Sequence, residues 1–422
     1  MGVPPFSRLQ RRAAETPSAE LNFPLACHTE IRRLNGRETM AGNRFLVHWL
    51  IALAVVLTAS QVARADTVQL NSSAGKLAVT AIATGLAAPW SLAFLPDGRM
   101  LVSERPGRLR LVSADGHLST PIVGVPTVHA EGQGGLLDVI LGPGFAQDGL
   151  IYFSFAQPTA NGARTAVARA QLVLSPAAPR LKDVTVIFAQ RDDPPGRHHF
   201  GSRLAFGAGG NLFVTLGERY HDRDRAQALD SHLGKIVRIR PDGSVPADNP
   251  FVGHSTALPE IWSYGHRNVQ GAALHPVTGA LWTHEHGPQG GDEINVPRAG
   301  ANHGWPVITY GREYVTGWRI GEGTQRADVA PPVHQWTPSI APSGMAFYTG
   351  DLFPAWRGNL FVGSLKFGML LRVELNGDKV VSEERLLTEI GHRIRDVRQG
   401  PDGALYVLDE TEGRILRIAP AN

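Results

Sequence analysis

Four cationic residues, far apart in the sequence, each lie next to the end of a predicted strand: Arg267, Lys366, Arg393 and Arg395. Strand pairing, described below, brings all four to one end of the molecule. Cations crowded together repel one another unless an anion lies between them, and the planar guanidinium group suits carboxylates. The set therefore indicates a site for a polyanion. The alternative is that each arginine pairs with an acidic residue of its own repeat.

His199 opens the string His199-Phe-Gly-Ser-Arg-Leu204, which leads into a predicted strand. A histidine that faces a pocket and has a pKa near neutral can act as a general base. The alternative is a histidine whose ring is satisfied by structural hydrogen bonds, and the sequence leaves both interpretations open.

The segment 285–293 is dense in acidic residues and glycines, and Asp292 and Glu293 offer hard oxygen donors. A glycine-rich backbone can also turn its carbonyl oxygens inward. Oxygen donors without thiolates favour Ca²⁺ over zinc. The alternative is a glycine-rich loop whose acidic side chains are solvated.

The composition excludes several classes of protein. With 43% hydrophobic and 19% charged residues among 422, the chain is not a disordered polyelectrolyte. The single cysteine, Cys27, excludes a disulfide framework and a thiolate metal cluster. Residues 1–65 hold eight Arg and four Glu, which leaves 33 basic and 34 acidic residues from Asp66 onward. The basic excess therefore belongs to the leader, and no nucleic-acid partner is expected.

The first 65 residues are typical of a leader rather than of the fold. From Met40, a short region with Arg44 precedes an apolar run over 45–59 and a small-x-small site at 63–65. That run is shorter than the roughly 20 residues that span a bilayer. We predict a signal peptide over 40–65, an upstream extension or misassigned start over 1–39, and a periplasmic or secreted protein without a stable membrane span. An uncleaved membrane anchor is the alternative.

The elements that must position these side chains are repeated hairpins. A turn with a second-position glycine, followed by an apolar strand, occurs six times, and its glycines are Gly98, Gly149, Gly210, Gly279, Gly358 and Gly403. Glycine supplies the positive φ of a tight hairpin turn. The glycines are 51, 61, 69, 79 and 45 residues apart, which is room for four short strands in each unit. The repeats predict an all-β domain over 66–422, a six-bladed β-propeller of four-stranded antiparallel blades.

The hairpins also predict where the polar residues meet. In an antiparallel pair, the residue that enters the first strand lies beside the residue that leaves the second. This rule brings a polar set to one rim of the propeller: Trp90 with Arg105, Gln133, His199 with Glu218, Arg267 and Asn268 with Glu285, Lys366, and Arg393 and Arg395 with 409–410. We therefore expect the functional site at one mouth of the central channel.

Strings at these rim positions resemble the soluble aldose sugar dehydrogenases that depend on pyrroloquinoline quinone (PQQ), the glucose/sorbosone dehydrogenase family. They run in order over 85–418 and include His199-Phe-Gly-Ser-Arg-Leu204, Leu216-Gly-Glu-Arg219, Tyr264-Gly-His-Arg-Asn268, Gly363-Ser-Leu-Lys366 and Arg393-x-Arg-Asp-Val397. The resemblance implies a six-bladed propeller, in agreement with the repeats. It also supplies a polyanion for the cationic set, because PQQ carries three carboxylates.

The resemblance further implies roles for single residues. His199 matches the catalytic base, with Gln133 beside the substrate. The predicted cofactor contacts are Arg267, Asn268, Lys366, Arg393, Arg395, Gln227 and Glu218. The carbonyl oxygens of Gly287 and Pro288 match ligands of a Ca²⁺ ion at the cofactor, and a further Ca²⁺ is expected near Glu293 and the backbone around His303. Thr337 stands where studied glucose dehydrogenases present an aromatic side chain.

The implied reaction is oxidation of an aldose at C1 to an aldonolactone, by hydride transfer to PQQ held with Ca²⁺. Electrons would pass to an external acceptor, such as a quinone, a small redox protein or a dye. Two alternatives remain open: a Ca²⁺-dependent propeller hydrolase of the lactonase type, in which His199 activates water, and a non-catalytic binding propeller.

Overall fold

The computed structural model of the chain describes residues 67–175 and 178–421. The predicted upstream extension (1–39) and signal peptide (40–65) lie outside the described residues. Within the described ranges, no helix is long and apolar enough to cross a membrane.

The described residues form 24 strands and three single helical turns. The turns are Phe145–Asp148, Arg223–Gln227 and Pro354–Trp356. The strands are β1 (Thr67–Ser72), β2 (Gly75–Ala83), β3 (Pro89–Phe94), β4 (Met100–Glu104), β5 (Arg108–Val112), β6 (Leu136–Leu141), β7 (Leu150–Thr159), β8 (Gly162–Val173), β9 (Arg180–Ala189), β10 (Leu204–Phe206), β11 (Leu212–Thr215), β12 (Lys235–Ile239), β13 (Ile261–Tyr264), β14 (Val269–Leu274), β15 (Leu281–Glu285), β16 (Asp292–Asn295), β17 (His334–Trp336), β18 (Pro342–Phe347), β19 (Leu360–Ser364), β20 (Met369–Asn376), β21 (Lys379–Leu386), β22 (Ile394–Gln399), β23 (Leu405–Asp409) and β24 (Arg414–Pro420).

The strands form six antiparallel sheets arranged as the blades of a propeller, which confirms the predicted fold. Four blades have four strands each: β6–β9, β10–β13, β14–β17 and β18–β21. The blade β3–β5 has three strands. The closing blade has five, in the order β1-β2-β24-β23-β22, and Leu77 of β2 lies opposite Pro420 of β24. The two ends of the domain are thereby hydrogen-bonded into one sheet, which closes the ring.

The six predicted hairpin turns join the first and second strands of the six blades. All six turn glycines have positive φ, between 66° at Gly149 and 84° at Gly98. The register then follows the pairing rule, because Leu136 lies opposite Phe155, Val269 opposite Glu285 and Ile394 opposite Asp409. The starts of the first strands and the ends of the second strands therefore share one rim, at the end opposite the hairpin turns.

The hydrophobic core lies between the blades. One buried cluster packs Phe361 and Leu370 against Ile394 and Leu405 of the next blade, and comparable clusters occupy the other blade interfaces. Burial of these apolar faces, at about 25 cal/mol per Å², is the main term that holds the ring together.

A balanced group of charges links the innermost strands beneath the rim. Arg203 Nη1 lies 3.2 Å from Asp138 Oδ1 and 3.2 Å from Asp396 Oδ1. Arg398 lies 3.2 Å from Asp138 and 2.9 Å from Asp396. We call these four residues the core ion cluster. Its carboxylates also accept hydrogen bonds from backbone N–H groups, so it fixes the inner strands of four blades relative to one another.

Candidate active site

A cavity of about 250 Å³ opens at the predicted rim. Residues of all six blades line it, among them Trp90, Arg105, Gln133, Phe200, Asn268, Gln270, His286, Leu365, Arg393, Arg395 and Glu410. The structure therefore brings four of the predicted site residues, Gln133, Asn268, Arg393 and Arg395, to a single cavity. A pocket of such mixed polar and aromatic lining suits a small planar anion.

His199 lies beside this cavity in a fixed orientation. Its Nδ1 is 2.7 Å from Glu218 Oε2, and its backbone N–H donates to Gln133 Oε1 at 2.8 Å. Nε2 forms no hydrogen bond with any residue that the structure describes. The Glu218 carboxylate thus holds the proton on Nδ1 and leaves Nε2 as the basic nitrogen. Glu218, which we predicted as a cofactor contact, orients the histidine in this structure.

Electrostatics keep this imidazole neutral. Burial, followed by the charge of Arg267, lowers the pKa of His199 to about 4, although Glu218 acts in the opposite direction. Burial raises the pKa of Glu218, but His199 and Arg267 outweigh it, so the pKa is lowered. At neutral pH the pair is therefore a neutral imidazole beside a carboxylate, the arrangement of a general base and its orienting acid.

Three arginines share one carboxylate at the cavity. Arg393 Nε lies 3.1 Å from Glu410, Arg395 Nη2 3.0 Å and Arg105 Nε 3.9 Å. We call these four residues the mouth cluster. Arg393 and Arg395 do pair with an acid of their own blade, as the alternative interpretation held. With three cations to one carboxylate, however, the cluster carries two positive charges in excess.

Several guanidinium nitrogens at the mouth are buried without a hydrogen-bond acceptor. They are the Nε atoms of Arg105, Arg395 and Arg267, contributed by three blades. An unsatisfied buried donor costs about 1–3 kcal/mol unless a ligand supplies the acceptor. Burial lowers the pKa of Arg395, and Arg393 adds to the effect against the opposing charge of Glu410. Carboxylate oxygens of a bound anion would satisfy both the donors and the excess charge.

Arg267 lines a second pocket of about 300 Å³ and not the cavity itself, which its neighbour Asn268 lines. Its Nη1 donates to the carbonyl of His286 at 2.9 Å, and its guanidinium group lies 5.3 Å from the ring of Trp305. The neighbouring Asn268 accepts the N–H of Gly201 at 3.1 Å. This bond ties the loop after His199 to the next blade.

Four predicted cofactor contacts do not line the cavity: Arg267 and Glu218, described above, and Lys366 and Gln227. Lys366 follows β19 at the same rim, but its side chain is exposed and lies against Phe367, while its neighbour Leu365 faces the cavity. Gln227 exchanges two hydrogen bonds with Asn302, at 2.9 and 3.0 Å, and donates to the carbonyl of Trp305. The side-chain amide of Gln227 is therefore already hydrogen-bonded to other loop residues. Cofactor contacts by Lys366 and Gln227 remain predictions.

The predicted metal-binding segment surrounds a small cavity of about 10 Å³, close to the volume of one water or ion. Gly287, Glu293 and His303 line it, together with Glu285. The carbonyl of Pro288 accepts the N–H of Arg312 at 3.0 Å. Among residues 67–175 and 178–421, no three His, Cys, Asp or Glu side chains form a group that could hold a metal ion. Any site here depends on backbone oxygens as well.

The carboxylates of this small cavity lie close together, and Arg267 also lines it. Burial, with the charges of Glu285 and Asp292, raises the pKa of Glu293 to about 8. Both ring nitrogens of His303 are buried without a hydrogen bond, and burial lowers its pKa well below the usual value. Clustered carboxylates and backbone carbonyl oxygens are the donors that a hard divalent ion such as Ca²⁺ prefers.

Sequence reasoning missed one residue that shapes the loop of His199. Arg219 donates to the carbonyls of His198, Ala163 and Gly196, at 2.9, 2.6 and 2.6 Å, and lies 3.9 Å over the Phe200 ring. These bonds hold His199 at φ 51°, a region that non-glycine residues rarely occupy. Arg219 stands in the quoted string Leu216-Gly-Glu-Arg219, but its three acceptors are backbone carbonyls of strand β8 and of the loop before His199, which the string does not indicate.

The fold and the site together define a six-bladed propeller with an anion-accepting mouth and an oriented histidine. The family model for glucose/sorbosone dehydrogenases matches residues 86–417. The chain therefore belongs to that family.

Individual relatives agree with this assignment. The chain is 49% identical to the aldose sugar dehydrogenase YliI of Escherichia coli strain K12 over 339 residues, which cover 79% of this chain and 90% of the relative. A crystal structure of glucose dehydrogenase is similar at 51% identity, with a TM-score of 0.79 and coverage of 81% and 99% of the two chains. The PQQ-bound aldose sugar dehydrogenase of Streptomyces coelicolor is similar at 29% identity, with a TM-score of 0.65 and coverage of 83% and 99%.

Proposed function

We propose that this protein is a PQQ-dependent aldose dehydrogenase that oxidises the anomeric carbon, C1, of a sugar to the lactone. The observation that carries the proposal is the mouth cluster, with its surplus of two positive charges and its buried Nε donors beside an oriented histidine. Membership of a family whose relatives are sugar dehydrogenases supports the substrate class.

The residues present fit the cofactor. PQQ, when bound, supplies the two-electron oxidant that accepts a hydride. Arg105, Arg393 and Arg395 would hold its carboxylates with charge-assisted hydrogen bonds, and Asn268 would contribute an amide at the same wall. Arg267, Lys366 and Gln227 are further candidate contacts. The flat Trp90 ring, which lies 4.1 Å below the guanidinium of Arg203, is a rigid part of the lining.

His199 would carry the proton transfer of the reaction. Nε2 takes the proton of the anomeric hydroxyl while the C1–H bond breaks, and the sugar leaves as the lactone. Glu218 stabilises the imidazolium that forms, because its carboxylate already accepts Nδ1–H at 2.7 Å. Gln133 fixes the backbone of His199 and lines the cavity beside it. General base catalysis of this kind contributes about 10²–10⁴ in rate.

Ca²⁺ belongs to the proposal through the segment 285–293. The carbonyls of Gly287 and Pro288 would bind one ion next to the cofactor, and Glu293 with the backbone around His303 would bind another. The small cavity between Glu285 and Glu293, with a pKa of about 8 for Glu293, supports a divalent cation at that place.

Targeting and electron transfer complete the proposal. The signal peptide over 40–65 would direct the propeller to the periplasm or the exterior. The electrons would then pass from the reduced cofactor to an external acceptor, either a quinone or a small redox protein.

The test is reconstitution of the purified chain with PQQ and Ca²⁺, followed by reduction of a dye by aldoses. Activity should require both additions. His199→Ala should lower kcat by about 10²–10⁴-fold and leave PQQ affinity unchanged. His198→Ala is the matched control, because that neighbouring side chain is exposed and should be replaced with little effect.

Two results would contradict the proposal. Hydrolysis of lactones with Ca²⁺ alone would identify the propeller as a hydrolase. An equal loss of activity in the His198 and His199 variants would show that the loop, and not the His199 ring, matters.

A further inference from the structure

A rigid turn projects from the rim next to the candidate active site. Residues 312–319 form it, and the backbones of Arg312 and Arg319 form an antiparallel β-bridge at its base. Glu313 N–H donates to the Trp318 carbonyl and Gly317 N–H to the Glu313 carbonyl, both at 3.0 Å. At its root Ile320 is buried. We call residues 312–319 the tip.

The tip exposes large apolar side chains. Val315 is 97% exposed, Trp318 73% and Tyr314 48%. At such values the first two side chains touch almost no protein, so they stand at the apex of a projection rather than within a patch. Apolar side chains held out by a hydrogen-bonded turn gain stability only when something covers them.

The charge at the base of the tip is positive. Arg312 and Arg319 are both exposed, and neither forms an ion pair with any residue in the described ranges. The one acidic residue of the tip, Glu313, is compensated by Arg223 at 2.7 Å. The tip thus presents an aromatic and aliphatic apex above two arginines without an ion pair in the described ranges, of which Arg312 donates to the Gly317 carbonyl at 3.1 Å.

The tip is joined directly to the site. Arg312 N–H donates to the Pro288 carbonyl at 3.0 Å, and Arg267 Nη2 lies 3.3 Å from the Tyr314 hydroxyl. Tyr314 also lines the 300 Å³ pocket next to the cavity, together with Tyr220, which is 41% exposed. Whatever covers the tip therefore lies against the mouth of the cavity.

We propose that the tip is a membrane-binding element that seats the mouth of the cavity on an anionic lipid surface. Tryptophan and tyrosine favour the boundary between headgroups and acyl chains, and arginines beside them are attracted to anionic headgroups. A stable protein interface needs about 1,000 Å² or more of complementary surface, whereas three projecting side chains suit insertion between lipids. Given the proposed function, a quinone dissolved in the lipid would then reach the mouth as electron acceptor.

Binding is measured with the full chain and vesicles, without substrate or cofactor, so that failure of the proposed reaction does not affect the result. Vesicles of phosphatidylethanolamine with a minority of phosphatidylglycerol are compared with phosphatidylcholine vesicles. The double variant Val315→Ser/Trp318→Ser should lose affinity for the anionic vesicles by about tenfold or more. Arg319→Gln should lose roughly fivefold. Val277→Ser is the control, because Val277 is 87% exposed in a hairpin turn at the opposite end of its blade.

A second measurement reports on Trp318 alone and separates the tip from the apolar leader segment. The fluorescence of Trp318 is obtained as the difference between the protein and its Trp318→Phe variant. Vesicles with brominated acyl chains should quench this fluorescence. Absence of that quenching, or equal vesicle affinity of the double variant and the unaltered chain, overturns the proposal. So would a finding that the double variant loses only the reduction of a soluble redox protein, since the tip would then dock a protein.

Discussion

The core ion cluster and the mouth cluster lie in the same propeller, and both are built from arginines and carboxylates of different blades. In the core cluster two arginines meet two carboxylates at 2.9–3.2 Å. In the mouth cluster three arginines meet one carboxylate at 3.0–3.9 Å. The charges of the first balance within the protein, although Asp396 Oδ1 is buried without a hydrogen bond, while the second keeps two positive charges in excess.

The pKa values reflect the same difference. Burial acts to lower the pKa of Arg398, but Asp396 and Asp138 outweigh it, so the pKa is raised. Burial also lowers the pKa of Arg395, and the negative charge of Glu410 is too weak to reverse this effect. No guanidinium nitrogen of Arg203 or Arg398 is buried without a hydrogen bond in the described part of the chain, whereas Arg395 Nε is. Charge balance thus distinguishes the core ion cluster, which links the inner strands, from the mouth cluster, which we propose binds the cofactor.

The largest effect is expected from breaking the balance of the core cluster. Asp138→Asn keeps the shape of the side chain but leaves Arg203 and Arg398 with Asp396 alone. We expect the free energy of unfolding to fall by about 3–5 kcal/mol, since a buried charge loses its partner. Urea-induced unfolding, followed by tryptophan fluorescence, measures this loss. A loss below about 1 kcal/mol would mean that the core ion cluster does not stabilise the arrangement of the inner strands.

A matched pair of arginine variants tests the two clusters against each other. Arg395→Met should weaken PQQ binding by about 10–100-fold, because a charge-assisted hydrogen bond is worth about 1.5–3 kcal/mol. Its free energy of unfolding should change by less than about 1 kcal/mol, since the mouth cluster loses a repelling cation. Arg398→Met should instead lower the free energy of unfolding and leave PQQ binding nearly unchanged. Titration calorimetry with PQQ and Ca²⁺ measures the affinities, and equal destabilisation by both variants would contradict the comparison.

Much of the fold could be predicted from local chemistry. The glycine of each hairpin turn requires positive φ, and antiparallel pairing fixes which strand ends meet, so the six blades and their rim follow from short strings. The closing pairing of β2 with β24 could not be predicted in this way. Leu77 and Pro420 lie at opposite ends of the domain sequence, so no hairpin turn joins their strands.

The site could be predicted only in part, for a related reason. The rim rule places Arg393 and Arg395 together, but it says nothing of side-chain direction. It could not show that Lys366 is exposed or that Gln227 is occupied by Asn302. Nor could it assign Glu410 as the shared partner of Arg105, which lies 305 residues away in the sequence. Pairings across the closure of a ring depend on the whole fold.

The smallest effect, and the sharpest in sign, concerns Glu410, the single carboxylate of the mouth cluster. Burial raises its pKa, but Arg395 and Arg393 outweigh burial, so the pKa is lowered from 4.5. Glu410 therefore contributes stability above about pH 4.5, and the contribution is lost as the pH falls through its lowered pKa. Glu410→Gln should cost about 1 kcal/mol at pH 7, and the difference from the unaltered protein should vanish in acid.

The same substitution should strengthen PQQ binding severalfold at pH 7, because it removes the carboxylate that competes with the ligand for three arginines. No such gain is expected from Asp138→Asn, since the core cluster binds no ligand. Calorimetric titration of both variants decides the point. If Glu410→Gln weakened PQQ binding, the carboxylate would be orienting the arginines rather than competing with the cofactor, and the surplus charge would not be the basis of recognition.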